Sequence, residues 1–299
     1  MKKLKKDQLA IGSFHYAFYS FERFVESMRR FGVTNVEVSG NRGHLWVSGD
    51  GVDRAREMAG MLRGAGIGRV ACLCPEQNAF PYNIAARDDR RRAASVAYMA
   101  DAIRCADALG CPRVLLCPGT AYLDEDPAEG KRRSIDSISQ LVEVAERHQV
   151  KLVLETQSFD ESSHVNATWQ QAEIIDEVNH PCLGGMIDTV QLAMYDEGDI
   201  ARAIDILGDR LWHVHLGDTK LYDRDLGRAP FRDKIVPGRE SEGHVGIGCG
   251  ELPLADYLSA LADAGYPYNV SVEICGWSYF YDPDAYTELA LNVLGDCFE

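Results

Sequence analysis

The chain has 299 residues and a formal net charge of −15 at pH 7, an acidic balance that argues against a nucleic-acid surface, whose affinity comes from clustered Lys and Arg. No stretch is long and apolar enough to cross a bilayer as a helix, and the basic run Lys2-Lys3-Leu4-Lys5-Lys6 lacks a following apolar segment, so it reads as a solvated tail, not a signal peptide. Nine cysteines, an odd number, include Cys72, Cys74, Cys105, Cys117, Cys182 and Cys275 inside apolar segments, a usage that points to free thiols in a reducing cytoplasm.

Apolar strand-like runs alternate with longer segments of helical period. The first strand is expected at 9–14, followed by His15 and a helix at 21–31. The second pair falls at 35–38 and 52–65, and the third at 68–74 and 87–109, with Cys72 and Cys74 on one strand face as core packing. The fourth occupies 113–117 and 130–148. The fifth strand, 151–156, contains Glu155 and precedes a helix at 166–178; the sixth, 183–188, ends in Asp188 and precedes one at 200–207. The seventh, 211–216, carries His213 and His215 on one face, and its helix comes only at 254–264. The eighth, 269–274, contains Glu273 and leads through the aromatic run Trp277-Ser-Tyr-Phe-Tyr281 to a helix at 284–294. Gly32, Gly66, Gly110 and Gly265 stand where a left-handed cap ends a helix just ahead of a strand. Eight such pairs predict an α/β fold, a single (β/α)8 TIM barrel spanning 1–299, which is within the size such barrels reach as one domain.

Glu155, Asp188, His215 and Glu273 each close a short apolar run: Lys151-Leu-Val-Leu-Glu155, Cys182-Leu-Gly-Gly-Met-Ile-Asp188, Leu211-Trp-His-Val-His215 and Asn269-Val-Ser-Val-Glu273. Parallel barrel strands aim their downstream ends at one place. Three carboxylates and an imidazole meeting there suit one divalent ion of the Mn, Co, Mg or Zn kind, with positions left open for substrate. Taken singly, each has another reading: Asp188 fits a cap of the following turn, and His213 and His215 fit packed barrel-core histidines. His148 and His180 lie at helix ends and read as structural. His15, His44 and His244 are loop histidines near strand ends, open to either reading.

The connection 220–250 after the seventh strand breaks the rhythm, with Gly, Pro, Arg and Asp and no apolar period. Its length and position suggest a lid or binding loop on the catalytic face that brings His244 to the pocket rim. Gly246-Ile-Gly248-Cys-Gly250 within it follows a loop instead of a strand and is not a dinucleotide fingerprint. Phe14, Tyr16, Trp46, Phe80, Tyr82, Trp277 and Tyr279 follow strands, where rings stack on a sugar face; the run from Trp277 is the one expected to close the pocket.

The order Leu-Glu155, Ile-Asp188, His213-Val-His215 and Val-Glu273 resembles the sugar isomerase and epimerase family with the xylose isomerase-like barrel, over most of the chain. Its ketose and fructoselysine 3-epimerase branches are nearest, through His15, Glu37-Val-Ser-Gly40, Pro75-Glu76-Gln77-Asn78-Ala79-Phe80-Pro81-Tyr82-Asn83 and the approach from His244 to Gly250-Glu251-Leu252-Pro253. The resemblance implies a divalent metal held by Glu155, Asp188, His215 and Glu273 and a substrate-contacting Glu161; further substrate contacts are expected from His15, His244, Gln191, Glu76 and Trp277. Where the family's tagatose type carries a substrate-contacting His three residues past the metal-binding Asp, this chain has Gln191, and Leu221 stands where an Arg is expected. A substrate other than a simple free ketose held in the same way is therefore implied.

The chemistry follows from the groups. A carbon-bound proton beside a ketone is removed quickly only if the developing enediolate oxygen is stabilised. A divalent ion does that, and carboxylates on opposite faces of a cis-enediolate, Glu155 and Glu273, remove and return the proton to invert the centre. Asp188 and His215 then serve as ligands, and His213 as support or packing. The expected partner is a small-molecule sugar; nucleic acid and membrane are not expected, and a homo-oligomer is compatible with the chain. Other readings are a metal-dependent lyase or dehydratase on the same barrel, a non-catalytic sugar-binding barrel, and a phosphodiester-cleaving endonuclease, which Gln191 and the net charge of −15 oppose.

Overall fold

The computed structural model describes residues 2–40, 44–77, 82–223 and 239–299. Phe80 and most of the long connection, 224–238, lie outside the described residues.

Eight parallel strands close into a barrel: β1 (Leu9–Gly12), β2 (Asn35–Ser39), β3 (Arg69–Cys74), β4 (Arg113–Leu116), β5 (Lys151–Leu154), β6 (Leu183–Asp188), β7 (Leu211–Leu216) and β10 (Val270–Val272), with β10 sealing the ring between β7 and β1. The helices on the outside are α1 (Phe21–Phe31), α2 (Gly51–Gly64), α3 (Asp89–Leu109), α4 (Pro127–Arg147), α5 (Thr168–Val178), α6 (Thr189–Tyr195), α7 (Ile200–Leu207), α8 (Leu254–Asp263) and α9 (Pro283–Leu294). The expected alternation thus closes as a TIM barrel.

Strand parity decides which side chains fill the ring. Leu152, Leu154, Val214, Leu216, Val270 and Val272 belong to the layer between strands and helices. The alternate positions turn inward, where Cys72, Leu115, Val153 and Met186 pack together as one apolar layer. The expectation that Cys72 is core packing agrees with that placement. The opposite part of the ring interior is polar: Glu37, His213, His215 and Ser271 are all fully or nearly fully buried.

Helix starts follow side-chain caps. Ser20 accepts a hydrogen bond from Arg23 N, Asp88 from Arg90 N and Arg91 N, Asp126 from Ala128 N, and Asp199 from Arg202 N. The fourth helix begins at Pro127, ahead of the expected 130, because Asp126 caps it and proline fits the first turn. Gly32, Gly66, Gly110 and Gly265 all have positive φ, between 69° and 78°, as expected of helix terminators.

Three features depart from the sequence expectations. Helix α6 starts directly on β6, too short at 7 residues to show a period. Inside the long connection, β8 (Leu221–Asp223) pairs antiparallel with β9 (Arg239–Ser241). The N-terminal run is not simply a solvated tail: its lysines are exposed, but Leu4 is buried, bridges Phe298, and its carbonyl accepts from Glu299 N while Lys6 N donates to Glu299 O. One apolar residue among lysines suffices to tie both chain ends together under the barrel.

Candidate active site

All four expected ligands reach one point. One ligand atom from each of Glu155, Asp188, His215 and Glu273 lies within 4.8 Å of every other, and all four residues are buried. The strands set this up directly: Asp188 pairs with His215 in the β6–β7 register, and Ser271 pairs with His215 from β10, which brings Glu273 in two residues later. Glu155 and Glu273 each sit one residue beyond the regular strand, still tied into the ring by Glu155 N to Leu116 O and Glu273 N to Leu216 O.

The histidine at the centre is oriented by a residue that sequence reasoning did not assign to the site. Glu37 on β2 accepts from Nε2 of His215 at 2.9 Å through one oxygen and contacts Nε2 of His213 at 2.8 Å through the other. With Nε2 so engaged, Nδ1 of His215 is the face turned to the carboxylates, 2.7 Å from Glu273 Oε2 and 3.3 Å from Glu155 Oε1. Those approaches do not lie along a donor direction, so His215 Nδ1 and Glu273 Oε2 are buried polar atoms without a hydrogen-bond partner. Two such atoms facing each other, with two more carboxylates beside them, fit a shared cation. The set of three carboxylates and one imidazole suits Mn, Co, Mg or Zn. A carboxylate bonded to the far nitrogen of a ligating histidine is the usual support for a metal site.

Electrostatics without a cation show the strain of the arrangement. Burial raises the Glu155 carboxyl, with His215 opposing and Asp188 and Glu273 adding to it. Burial also works against ionised Glu273, but the neighbouring His215 and His244 outweigh it and hold that carboxyl low. For His215 burial disfavours the cation, yet Glu273 and Glu37 override it and hold the proton well above the ordinary histidine range. In the metal-free protein a proton on His215 therefore stands in for positive charge.

Asp188 serves two neighbours. One oxygen caps α6, accepting from Val190 N at 2.6 Å and Gln191 N at 3.1 Å; the other faces His244 Nε2 at 2.7 Å. His244 also lies 3.3 Å from Glu273 Oε2, and although burial opposes its charge, Asp188 and Glu273 push it up to about 10. Room for that ring depends on Gly217, where a Cβ would stand 2.5 Å from His244 Cδ2.

A cavity of about 500 Å³ opens over these groups. Glu76, Glu161, Gln191 and His244 line it, together with Glu155, Asp188 and Glu273. Glu161 is raised to about 7, by burial first and by Asp160 second. Gln191 turns a buried Oε1 without a hydrogen-bond partner. Two expected contacts lie elsewhere. His15 is absent from the lining: it is fully buried against Thr287, 2.9 Å from Nε2 to Oγ1, and burial lowers it to about 3. Trp277 is 68% exposed on a 3-10 turn, packed edge-on against Phe280 and beside Phe18, and is not part of the lining. His44 likewise packs against Phe21 and faces the Tyr19 carbonyl at 3.0 Å. His148 pairs with Asp107, and His180 accepts from Cys182 N, both at helix ends.

Sequence reasoning missed Gln157, whose amide donates to Glu155 Oε2 at 2.5 Å, and the thiols of Cys74, Cys117 and Cys275 in the cavity wall. Gln157 carried a signal in the strand parity, two residues beyond Glu155. Glu37 carried one too, as a charge in the middle of the apolar run Asn-Val-Glu-Val-Ser.

Comparison with known proteins agrees with this architecture. The sequence pattern of the family described as xylose isomerase-like TIM barrel matches residues 13–297. Fructoselysine 3-epimerase of Shigella flexneri is 25% identical over 265 residues, 87% of each chain. Inosose isomerase of Bacillus subtilis is 28% identical over 151 residues, 50% of this chain and 49% of that one. Among solved structures, the D-psicose 3-epimerase of Clostridium cellulolyticum H10 with D-tagatose superposes with a TM-score of 0.76 at 19% identity, over 98% of this chain and 99% of that one. The chain belongs to the xylose isomerase-like TIM barrel family, as an enzyme related to epimerases and isomerases.

Proposed function

We propose that the chain, as one barrel domain, is a divalent-metal-dependent epimerase that inverts the carbon next to the carbonyl of a ketose, or of a ketose bearing an amine such as fructoselysine, at C3. The observation that carries this reading is the placement of two carboxylates, Glu155 and Glu273, 3.3 and 2.7 Å from His215 Nδ1 and just past the ends of strands β5 and β10, which are not neighbours in the ring. Support comes also from the relative named fructoselysine 3-epimerase, matched over 87% of each chain. The nine free cysteines favour a reducing, cytoplasmic setting.

Glu155, Asp188, His215 and Glu273 are the residues that would hold the ion. A divalent cation there supplies Lewis-acid stabilisation for the negative charge that develops on the substrate's carbonyl oxygen. The chain's own groups do the rest. Glu155 and Glu273 act from opposite sides of the substrate's cis-enediolate, one removing the C3 proton and the other returning one to the opposite face. Gln157 fixes Glu155 Oε2 and the Cys275 thiol donates to Glu273 Oε1 at 3.3 Å, so each carboxylate keeps one oxygen held. Glu161, Gln191, His244 and Glu76 line the cavity where sugar hydroxyls would be bound, and reach of this kind sets the substrate's orientation.

The test is proton exchange. Mn-loaded protein is incubated in D2O with a panel of ketoses and fructosamines, and NMR is used to look for deuterium beside the carbonyl and for a new diastereomer. Both signals are expected. In Glu155→Gln and Glu273→Gln, inversion should be lost while the remaining carboxylate still exchanges one proton. One variant inert in exchange with the other near wild type would mean a single base, and retained inversion in both would move the chemistry to other groups. Exchange with loss of water in place of a diastereomer would instead favour a dehydratase.

A further inference from the structure

Beside the catalytic cavity lies a second, larger one of about 1050 Å³. Phe159 and Asp160 line both, so the two share a wall formed by the segment after β5. Nothing in the chemistry of C3 inversion needs this second space, since 500 Å³ already exceeds the size of a hexose.

The wall chemistry is mixed in a specific way. Arg87 and Arg91 supply two guanidinium groups, and Asp88 and Asp160 two carboxylates. Asp88 is committed to capping α3, accepting from Arg90 N and Arg91 N. Arg87 reaches Glu125 only at 3.9 Å. Arg91 and Asp160 are exposed and have no ion-pair partner among the described residues. The same lining also holds Ala86, Ala94, Tyr122 and Leu123, which offer apolar surface. One available cation and one available anion in a lining that also offers apolar surface match a group that carries both charges and methylenes. A phosphate dianion matches less well, because the carboxylates of the lining repel its second charge.

Resting on the epimerase reading above, we propose that this second cavity is the subsite for an amino-acid substituent on the sugar. The substrate is then a ketose whose C1 bears an amine: the linking ammonium lies at Asp160 on the shared wall, the alkyl chain runs along Tyr122 and Leu123, and the terminal carboxylate is bound by Arg91 with Arg87. Arg is suited to that task because its planar fork matches a carboxylate. The same arrangement accounts for Gln191 and Leu221, positions where a free-ketose site of the resembled type has a His and an Arg: recognition is moved from the sugar hydroxyls to the appendage.

Calorimetry on the Mn-loaded protein tests this with four probes: D-fructose, 1-deoxy-1-(5-carboxypentylamino)-D-fructose, the carboxamide of the latter, and D-fructose 6-phosphate. The acid should bind about tenfold more tightly than the amide, the factor expected for one charge-assisted hydrogen bond. In Arg91→Gln the acid-to-amide ratio should collapse to about one, and Arg91→Lys should restore part of it. Equal binding of acid and amide to the wild type, with fructose still bound, overturns the subsite and leaves the epimerase reading standing. A ratio that survives Arg91→Gln overturns the assignment to Arg91. D-fructose 6-phosphate binding more tightly than the acid replaces the amino-acid group with a phosphate and overturns the proposal. Binding of no probe at all defeats the ketose reading and this one with it.

Discussion

Glu37 is placed to orient the site from behind the cavity wall, without lining the cavity itself. Its two oxygens engage His213 and His215, and both Glu37 and His213 are fully buried. If Glu37 becomes Gln, the acceptor is halved and His215 loses the partner that keeps its proton on Nε2 and its Nδ1 lone pair toward the carboxylates. Metal affinity should fall by about 10- to 100-fold, the cost typical of removing such support, as read by Mn titration with electron paramagnetic resonance; unchanged affinity would assign Glu37 to packing alone. The four ligands were legible because each charge ends an apolar run. The link from Glu37 to His215 was not, because it crosses the ring interior between strands that are not adjacent, a distance that only closure of the barrel sets. His15 makes the complementary point: it occupied a strand-end loop, yet burial against Thr287 holds it neutral to about pH 3. The unfolded chain protonates this ring near 6.5 and the folded chain does not, so its contribution is present above that value and lost as pH falls toward 3. His15→Gln should flatten the acid limb of stability by a few kcal/mol over that window, measured by urea unfolding at a series of pH values.

At the scale of elements, one carboxylate ties several backbone groups of the connection between β7 and α8. Asp218 accepts backbone hydrogen bonds from Gly248, Gly250 and Leu252 at 3.0 to 3.1 Å, as well as from Thr219 N, and its own backbone bridges Val245. That clasp and the hydrogen bonds that the His244 carbonyl accepts from Cys275 N and Gly276 N together hold the segment that carries His244. Asp218→Ala leaves four backbone donors seeking partners and should cost about 3 kcal/mol, while raising KM and lowering kcat together because His244 is no longer seated. Gly217→Ala probes the same contact from the other side: the added Cβ, 2.5 Å from the His244 ring, should impair turnover with far less loss of stability than Asp218→Ala. Equal kinetics to wild type in both variants would remove His244 from the site. The sequence showed that a long loop leaves β7 and carries His244, since loss of apolar period is visible in one dimension. It did not show β8, β9 or α6, since elements of 3 and 7 residues are too short for periodicity to reveal.

For the whole molecule, the barrel concentrates Glu37, Glu155, Asp188 and Glu273 in its interior, and without a metal the protons on His215 and His244 among the described residues offset part of that charge. Burial and Asp160 raise Glu161 at the cavity wall to about 7 as well. Its unfolded value is 4.5, so between 4.5 and about 7 the folded chain keeps a proton that the unfolded chain has released, and this group's contribution to metal-free stability falls as pH rises through that window. Metal binding reverses the trend. Ligands must be deprotonated to bind, so an ion bound there should displace the His215 proton and its affinity should grow with pH. At a concentration 100 times Kd the ion should stabilise the fold by about 2.7 kcal/mol, so the Tm gain on adding Mn should be several degrees at pH 8, shrink at pH 6 and vanish near pH 4. Calorimetry in two buffers of different ionisation enthalpy should count close to one proton released per ion at pH 7. A Tm gain independent of pH, with no proton released, would mean that the cation binds somewhere other than the ring of Glu155, Asp188, His215 and Glu273.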